Sequence, residues 1–341
     1  MQNKYMKNRP LVSICIPTYN RSTYLRQSLE RYIVEKEFID GKVEIVISDN
    51  ASTDDTKMVV EEYIKKYKNI RYYRNTKNIR DKNFPLALSR GSGILHRLCN
   101  DTLQISQGHL EDLCHTVCKY EKDKPFLFWQ NEGIKESEVM CDNLDSYIRK
   151  LSYFVTWIGG FSLWHDECKG IELDTKDCEL SLWQVRKSCE IATNKRSIIV
   201  KKLFCTVPVI SNKDVSYGIF RVFHGNMFEI LNRYAGEKGI SNQTLEYVEK
   251  DLLYGYFTDF LVLAECKKDN NLIYSDEEDL KNAVVECYKN KTYYNDYLKF
   301  YQKAIIKARI ISFIKPLIRW EKYKNSRVYQ LLKEIAKQTG K

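Results

Sequence analysis

Residues 12–21 read Val-Ser-Ile-Cys-Ile-Pro-Thr-Tyr-Asn-Arg, and residues 43–54 read Val-Glu-Ile-Val-Ile-Ser-Asp-Asn-Ala-Ser-Thr-Asp. Both stretches begin with a short run rich in β-branched residues, which is typical of a buried strand, and both end in polar residues. A segment with apolar residues at helical spacing follows each of them, over residues 22–37 after the first. Strand followed by helix, repeated, predicts parallel βαβ units and therefore an α/β fold.

The same alternation continues to about residue 100. Pro17 is expected to end the first strand, and Thr53 is expected to cap a helix whose first turn holds Asp54 and Asp55. The next elements are a strand at 70–73, a short helix at 84–88 and a strand at 94–99. Because ligands of such sheets bind beyond the carboxyl ends of the strands, the loops of interest are residues 17–21, 48–54 and 100–102.

The pattern changes in the later part of the chain. We expect a strand at 126–129, an apolar stretch with a Gly159-Gly160 turn at 157–164, a helix at 178–192 and a β-branched run at 197–209. After Phe228 the pattern is helical and rich in Tyr. The sequence therefore predicts an α/β domain over residues 1–225 and a helical region over 226–341.

The positive charge is concentrated at the end of the chain. The 341 residues carry a net charge of +10, and residues 301–341 hold 11 basic and 2 acidic residues, so this tail accounts for +9. A nearly neutral body argues against a general nucleic-acid-binding surface. The 43% of hydrophobic residues, with only 6 Pro and 14 Gly, exclude a disordered or collagen-like chain.

The cysteines and the apolar runs bear on location. The 11 cysteines are scattered without a CxxC pair, which favours reduced thiols in a cytosolic protein. The apolar run after residue 10 is too short for a signal peptide, and no window reaches the roughly 18 apolar residues of a membrane span. We therefore expect a cytoplasmic protein that does not cross a membrane by itself.

The first two loops contain the groups that a nucleoside needs. Tyr19 offers an aromatic face, and Asp49 is a carboxylate that can accept a hydrogen bond from a base imide or a ribose hydroxyl. The alternative is that the polar residues of these loops only cap helices; they are Asn20, Ser52, Thr53 and Asp54.

The two quoted stretches closely resemble the opening of family-2 glycosyltransferases with the GT-A fold. The resemblance is strong over about residues 10–105 and weaker to about residue 230. The segment at 78–84, Asn-Ile-Arg-Asp-Lys-Asn-Phe, looks most like the abequosyltransferase-type members that decorate O-antigens and capsules. The resemblance implies a Rossmann-like nucleotide-sugar-binding domain with a mainly helical C-terminal extension.

The resemblance also implies roles for particular residues. Thr18, Tyr19 and Asp49 would hold the base and ribose of the donor. Asn78 and Asn83 would shape the donor pocket. The remaining donor contacts expected from the matching motifs are Asn20, Arg21, Asn100 and Asp101.

The acidic metal motif of the family falls at Asn100-Asp101-Thr102, where only Asp101 is a carboxylate. A divalent ion such as Mn²⁺ or Mg²⁺ prefers several oxygen ligands, so a metal bound through Asp101 is in doubt. Three alternatives stay open: a loosely held ion, cationic side chains in its place, or an impaired catalyst. His96 and Arg97 just upstream suggest a partly exposed sheet edge. A structural role is expected for each, and a phosphate contact is the alternative, for which Arg97 is the better candidate.

An inverting transfer needs a general base beside the acceptor hydroxyl. The segment around Asp177 resembles the region that supplies it in the family, with Lys176 in place of the family's Glu. Asp177 is therefore the expected base. Asp177 or Asp174 acting only as a helix cap is the alternative, and the nearest rivals as base are Asp166 and Glu179.

Two further groups of residues invite a metal reading. The spacing of His109, Cys114, His115 and Cys118 matches no established zinc finger. Arg221 and His224 lie where many GT-A enzymes place a late phosphate or metal contact, and ordinary surface roles are the alternative.

The tail suits a membrane surface. Residues 304–320 mix apolar and basic residues as in an amphipathic helix, which Pro316 is expected to kink or break. Lys and Arg near an anionic leaflet contribute about 1 kcal/mol each, which would hold the protein at the inner face of the cell membrane. The alternative is that the apolar stripe packs on the first domain or on a second subunit.

Together these features predict an inverting glycosyltransferase. Its donor would be a nucleotide-sugar, and its acceptor a hydroxyl of a lipid-linked bacterial surface glycan such as O-antigen or capsule. The alternative is a non-catalytic homologue that binds nucleotide-sugar or glycan in a polysaccharide assembly complex.

Overall fold

The structure is a computed structural model that describes residues 9–131, 136–201, 205–206, 218–266 and 277–319. The chain divides into two compact units, Met1–Val209 with Gly225–Val248, and Ile210–His224 with Glu249–Lys341. We call them the first and the second unit. The domain boundary near residue 225 stays a prediction.

The first unit is built on a mixed β-sheet with the strand order β3-β2-β1-β4-β8. The first four strands along this order run parallel, and β8 is antiparallel to β4. The strands are β1 (Val12–Thr18), β2 (Val43–Asp49), β3 (Ile70–Arg74), β4 (Leu95–Leu98), β5 (Gln104–Ile105), β6 (Phe126–Gln130), β7 (Glu138–Cys141), β8 (Ser162–Trp164), β9 (Ser197–Lys201) and β10 (Cys205–Thr206). Strands β6, β9 and β7 form a second sheet, and β5 pairs with β10.

The helices follow the strands as the sequence predicts for βαβ units. They are α1 (Ser22–Tyr32), α2 (Lys36–Ile39), α3 (Thr56–Ile64), α4 (Asn83–Ser89), α5 (His109–Tyr120), α6 (Leu144–Leu151), α7 (Trp183–Asn194), α8 (Met227–Asn232), α9 (Asn242–Leu252), α10 (Thr258–Cys266), α11 (Glu277–Tyr288) and α12 (Tyr294–Arg319). Short 3₁₀ turns include Arg80–Lys82, Ile158–Gly160 and Cys178–Leu180, and π-helical turns lie at Arg221–Asn226 and Leu253–Phe257. Apolar residues of β1, β2 and β4 pack with those of α1, α3 and α5 in one core.

Strand β1 continues through Pro17, so the expectation that this proline ends the strand is wrong. β4 pairs with β1 only as far as Cys15, which lies opposite Leu98. On the other side, β2 follows β1 to its last pair, Thr18 opposite Asp49. The missing N–H of Pro17 therefore falls beyond the end of the β4 ladder and costs no hydrogen bond there.

The helix after β2 begins at Thr56, so the prediction that Thr53 caps it is wrong. Asp54 Oδ1 accepts from both the backbone N and the Oγ1 of Thr56, at 3.0 and 2.5 Å. Its other oxygen accepts from the backbone N of Ser22, the first residue of α1. One carboxylate thus serves the first turns of two helices. Thr53 instead donates its backbone N–H to Asn20 Oδ1 at 2.7 Å.

Strand β4 lies between β1 and β8, which corrects the expectation of an exposed edge. His96 and Arg97 are 1% and 2% exposed. Arg97 donates from Nε and NH2 to the carbonyl oxygen of Gly159 at 3.0 and 2.8 Å, and NH1 contacts His109 Nε2 at 2.8 Å. Its guanidinium is thus committed to backbone and imidazole, which agrees with the structural role expected for Arg97 and leaves no support for the phosphate alternative.

Two further elements differ from expectation. The helix predicted at 178–192 is split into the 3₁₀ turn Cys178–Leu180 and α7, because Ser181 between them adopts a left-handed backbone conformation. In the second unit, α12 runs from Tyr294 to Arg319, so Pro316 does not end it. Of the basic tail, residues 320–341 lie outside the described residues, as does most of the predicted run at 202–209. Among the described helices none is both long and apolar enough to cross a bilayer.

Candidate active site

Three loops of the first unit meet at one edge of the main sheet. Thr18 and Asp49 end neighbouring parallel strands and are direct partners in the register. β4 runs parallel to β1 on its other side, so the segment that begins at Asn100 leaves the sheet at the same edge. This is the edge at which ligands of parallel sheets bind.

Thr18, Arg21 and Asp101 form one hydrogen-bonded cluster at this edge. Thr18 Oγ1 donates to Asp101 Oδ2 at 2.8 Å, and Arg21 NH1 pairs with Asp101 Oδ1 at 3.1 Å. Asp101 is buried, while 36% of the Arg21 side chain is exposed. Burial raises the pKa of Asp101, against the opposing effects of Arg21 and Thr18. The guanidinium of Arg21 is therefore partly exposed to solvent and is held in place by the buried carboxylate of Asp101.

These residues do not fit a divalent metal ion. Both oxygens of Asp101 are already engaged, and one of them by a cation. No two further carboxylate, imidazole or thiol ligands join Asp101 within the described residues. Mn²⁺ and Mg²⁺ take several oxygen ligands, so a single carboxylate paired with Arg21 is a poor donor set. The cationic side chain is the better match to an anionic ligand here.

Asp49 lies fully buried at the end of β2. Its Oδ1 accepts from the backbone N of Ser52 at 2.9 Å, and its Oδ2 accepts from Tyr72 OH at 2.6 Å. Arg74 Nε lies 3.5 Å from the same Oδ2. Burial and the hydrogen bond to this carboxylate raise the pKa of Tyr72, so the phenol stays protonated and donates. Asp49 thus fixes the loop after β2 to the neighbouring strand β3.

The loops after β1 and β2 are joined through Asn20. Its backbone N donates to Ser52 Oγ at 2.9 Å, and its Oδ1 accepts from the backbone N of Thr53. Asn20 has φ +52°, a left-handed conformation that Asn tolerates better than most residues. Next to it, Tyr19 has 42% of its surface exposed, so an aromatic face is presented at the loop.

Asn78 and Asn83 belong to a network of amide hydrogen bonds around the loop after β2. Asn50 Nδ2 donates to Asn78 Oδ1 at 2.8 Å. Asn83 is buried, accepts from Ser48 Oγ at 2.6 Å and donates to the Ser48 carbonyl oxygen at 2.7 Å. Asn75 Nδ2 bridges Asn50 and Asn83, at 3.2 and 3.0 Å. These amides position the loop after β2.

Asn100 carries a buried acceptor beside Asp101. In the described part of the chain, no hydrogen-bond donor reaches Asn100 Oδ1. A buried polar atom without a partner is costly, so such an atom at a ligand edge suits a ligand hydroxyl or N–H. The unsatisfied oxygen thus makes Asn100 a candidate ligand contact independently of the sequence motif.

Asp177, the expected base, is held by two arginines. Arg233 NH1 donates to both carboxylate oxygens at 2.8 Å, and Arg186 Nε lies 3.9 Å from Oδ2. Asp177 is buried and has φ +62°. No sequence pattern indicates a role for Arg233, which is 56 residues away in the chain. These contacts fix the side-chain direction of Asp177.

Asp81 is an acidic residue whose setting the sequence does not reveal. The turn Arg80–Lys82 lies against the turn Cys178–Leu180, and Asp81 forms a hydrogen bond with Ser181. Burial raises the pKa of Asp81 to about 6, and Ser181 and Arg80 oppose the rise. Asp81 therefore lies near the segment of Asp177 with a carboxyl that titrates close to neutral pH.

The remaining expected contacts lie elsewhere. His109 is buried on α5 and contacts Arg97, as described above. Arg221 and His224 lie in the π-helical turn Arg221–Asn226. His224 interacts there with Glu249 and Cys287, all within the second unit.

Comparison with known proteins supports the resemblance. Residues 13–132 match the family model Glycosyl transferase family 2. The chain is 38% identical over 110 residues to an abequosyltransferase of Salmonella typhimurium, a match that covers 30% of this chain and 33% of that protein. It is 25% identical over 310 residues to the GalNAc(5)-diNAcBac-PP-undecaprenol beta-1,3-glucosyltransferase of Campylobacter jejuni, which covers 88% and 87%. The chain thus matches only a third of the length of the first relative.

A solved structure confirms the predicted fold. The S. aureus TarS fragment 1–349, crystallised with UDP-GlcNAc, aligns with a TM-score of 0.54 over 96% of this chain and 91% of its own, at 17% identity. The likeness bears on fold alone at this identity, and it agrees with a GT-A domain followed by a helical region. Residues 13–132 of this chain form a glycosyltransferase family 2 domain.

Proposed function

We propose that the protein transfers a sugar from a nucleotide-sugar to a hydroxyl of a lipid-linked bacterial surface glycan, with inversion at the anomeric carbon. The observation that carries the proposal is the anchored Arg21 guanidinium at the ligand-binding edge of the sheet, held by Asp101 and Thr18. The relatives support the substrate classes. Their names refer to an abequosyl donor in one case and to an undecaprenol-linked acceptor in another.

The nucleoside would lie on the loops after β1 and β2. The exposed ring of Tyr19 offers a stacking surface for the base. Asp49, whose oxygens accept from Ser52 and Tyr72, would act from within, by holding together with Thr18 and Asn20 the loops that carry the nucleoside. Asn100 Oδ1 would accept from a hydroxyl of the donor. Asn78 and Asn83 would keep the loop after β2 rigid through their bonds to Asn50 and Ser48.

The leaving diphosphate would lie against Arg21. A guanidinium pairs well with phosphate oxygens, and a partly buried one retains much of its charge effect. As the anomeric C–O bond breaks, the nucleoside diphosphate gains negative charge, which Arg21 would stabilise. Arg21 would thus compensate the negative charge of the diphosphate. A metal ion would otherwise do so, but the acidic motif, reduced here to Asp101, lacks the ligands to hold one.

Asp177 would act as the general base. Its carboxylate would take the proton of the acceptor hydroxyl while the hydroxyl oxygen bonds to the anomeric carbon and the diphosphate leaves. Arg233 and Arg186 would fix its orientation. Asp81 is the rival that the structure adds to Asp166 and Glu179, because its raised pKa of about 6 suits proton acceptance near neutral pH.

The second unit would hold the protein at the cytoplasmic face of the membrane. On α12, Ile306, Ile310 and Phe313 are 57%, 43% and 74% exposed and recur at helical spacing, whereas Ile305 is buried. Lys and Arg residues flank this exposed stripe, and the tail carries +9. Anionic vesicles should therefore bind the wild type more than a variant with Ile310→Glu and Phe313→Glu. Equal binding of both would remove the membrane proposal.

A non-catalytic binding protein is the second candidate. It is favoured by the pairing of Asp101 with Arg21 and by Thr102 where the family has a carboxylate. The two candidates are separated by incubating the full chain with a panel of nucleotide-sugars and lipid-linked oligosaccharides. Release of nucleoside diphosphate with a matching glycan product supports the transferase. Donor binding without turnover supports the binding protein. NMR of the product's anomeric centre tests the inversion.

A further inference from the structure

Three potential metal ligands converge within the second unit. His224 lies in the π-helical turn Arg221–Asn226, Glu249 lies on α9 and Cys287 lies on α11. One ligand atom from each comes within 4.8 Å of the other two. Residues so far apart in sequence meet here because their three segments pack together.

The distances suit a common tetrahedral ion. His224 Nε2 lies 3.5 Å from Glu249 Oε1 and 3.4 Å from Cys287 Sγ. In a tetrahedral zinc site, Zn–N bonds of about 2.0 Å and Zn–S bonds of about 2.3 Å separate the nitrogen and sulfur ligands by roughly 3.5 Å. The two distances from His224 Nε2 are therefore already close to those that coordination requires, and the third pair of ligand atoms lies within 4.8 Å.

The imidazole is oriented by aromatic packing. The His224 ring stacks on Phe220 with centroids 4.8 Å apart and planes 14° apart, and it meets the edge of Tyr288 at 5.8 Å. Phe220 stacks in turn on Phe257 at 5.3 Å. These rings restrict the imidazole without covering it, since 17% of the His224 side chain remains exposed. The His224 ring is therefore both held in orientation and accessible to an ion from solvent.

Glu249 is held through its second oxygen. Lys291 Nζ contacts Oε2 at 2.6 Å and Tyr293 OH donates to the same oxygen at 3.3 Å. Oε1 is the oxygen that faces His224. Tyr288 OH also donates to the Glu249 carbonyl oxygen at 3.2 Å. A ligating carboxylate is typically supported in this way by hydrogen bonds to its other oxygen.

We propose that His224 Nε2, Glu249 Oε1 and Cys287 Sγ bind one Zn²⁺ ion, with water as the fourth ligand. A thiolate and an imidazole together select zinc over Mg²⁺ or Ca²⁺, which take oxygen ligands. Binding requires Cys287 to lose its thiol proton to solvent and His224 to be neutral at Nε2. The ion links α9, α11 and the π-helical turn, and so stabilises the second unit. This site is distinct in its residues from the proposed donor site.

The test uses the full chain, stripped of metal by a chelator and titrated with Co²⁺ as a spectroscopic probe of the zinc site. One equivalent of Co²⁺ should produce a thiolate-to-cobalt charge-transfer band and the strong visible bands of a tetrahedral site. Cys287→Ser should abolish the charge-transfer band. The matched control is Cys266→Ser, since Cys266 lies in the same unit and outside the cluster. This variant should keep the band.

A second variant, His224→Gln, tests the proposal if Cys287→Ser does not fold. His224→Gln, judged folded by circular dichroism, should lower the Zn²⁺ affinity by on the order of 100-fold in competition with a fluorescent chelator. Zn²⁺ should raise the unfolding temperature of the wild type and not of this variant. An unchanged affinity in His224→Gln, a charge-transfer band that survives in folded Cys287→Ser, or no tetrahedral cobalt spectrum in the wild type would overturn the proposal.

Discussion

Thr18 Oγ1 donates a hydrogen bond of 2.8 Å to Asp101 Oδ2. The bond joins the end of β1 to the loop after β4, 83 residues later in the chain. With Arg21 on the other oxygen, the carboxylate of Asp101 is held on both sides. The acidic motif therefore serves as an anchor for a cation, and this is the basis for placing the donor diphosphate beside Arg21.

Tyr19 should contribute to donor binding through its ring and not through its hydroxyl. Tyr19→Ala should weaken the affinity for the matching nucleoside diphosphate by roughly tenfold, because base stacking on an aromatic side chain is worth about 1–3 kcal/mol. Tyr19→Phe should bind like the wild type. Titration calorimetry measures both, and unfolding temperatures should stay unchanged because the side chain is exposed. Equal losses in both variants would argue against stacking.

Arg21 should carry the charge compensation that a metal ion would otherwise provide. Arg21→Met should lower kcat on the order of 100-fold, as the loss of one transition-state donor does. A chelator should leave the wild-type rate within about twofold. Arg26→Met is the matched control, since Arg26 lies on α1, which begins directly after Arg21, and pairs with Glu62 at the surface. Loss of the wild-type rate in chelator, with recovery on adding Mn²⁺, would contradict this prediction.

Asp177 should affect the chemical step and not donor binding. Asp177→Asn should lower kcat by about 10²- to 10⁴-fold with little change in the Kd for the donor. Glu179→Gln, two residues away and exposed, should have near wild-type kcat. Rate and binding assays on folded variants decide the matter. The opposite result, in which Asp81→Asn abolishes transfer and Asp177→Asn does not, would make Asp81 the base. In that case the wild-type rate should also decrease as the pH is lowered through about 6, the pKa of Asp81.

His96 should make the fold sensitive to acid. Burial lowers the pKa of His96 to about 4, and the neighbouring His165 at 3.2 Å adds to the effect, while Glu44 opposes it. The unfolded chain, with a histidine pKa of about 6.5, binds the proton first as the pH falls. Stability therefore rises with pH between about 4 and 6.5, and is lost as the pH falls through that window.

The measurement compares the wild type with His96→Gln by urea denaturation at pH 7 and pH 5. We compare the free energy of unfolding of the wild type minus that of His96→Gln. This difference should be about 2 kcal/mol smaller at pH 5 than at pH 7, because each pH unit below about 6.5 removes about 1.4 kcal/mol. Other titrating groups are shared by both proteins and cancel in the difference. Parallel pH dependence of the two proteins would show that His96 is not the responsible group.

The strands that bear the site could be predicted because each is a short, buried, β-branched run. β2 begins at Val43, the first residue of the quoted stretch, and β3, predicted at 70–73, extends to Arg74. The prediction that Thr53 caps the helix failed because the carboxylate of the neighbouring Asp54 accepts two hydrogen bonds from Thr56, so the helix begins at Thr56. Local preference alone does not decide between such neighbours.

The features that the sequence missed depend on contacts between distant residues. Nothing near Arg97 in sequence indicates β8, whose antiparallel pairing turns β4 into an inner strand. The Arg233–Asp177 pair spans 56 residues, and the His224, Glu249 and Cys287 cluster draws on three separate segments. The candidate donor residues were found from their motif, whereas Asp81 was recognised only once its burial beside Ser181 was known.

The central claim is that the Asp101–Arg21 edge of the first unit catalyses sugar transfer. Its most direct test measures nucleoside diphosphate release and glycan product together, from a panel of nucleotide-sugars and a lipid-linked acceptor. The wild type should turn over one donor with equal amounts of both products. Asp101→Asn should lose about 100-fold or more, and the exposed-residue control Asp142→Asn should lose nothing. Full activity in a folded Asp101→Asn protein, or no turnover of any donor by the wild type, would contradict the claim.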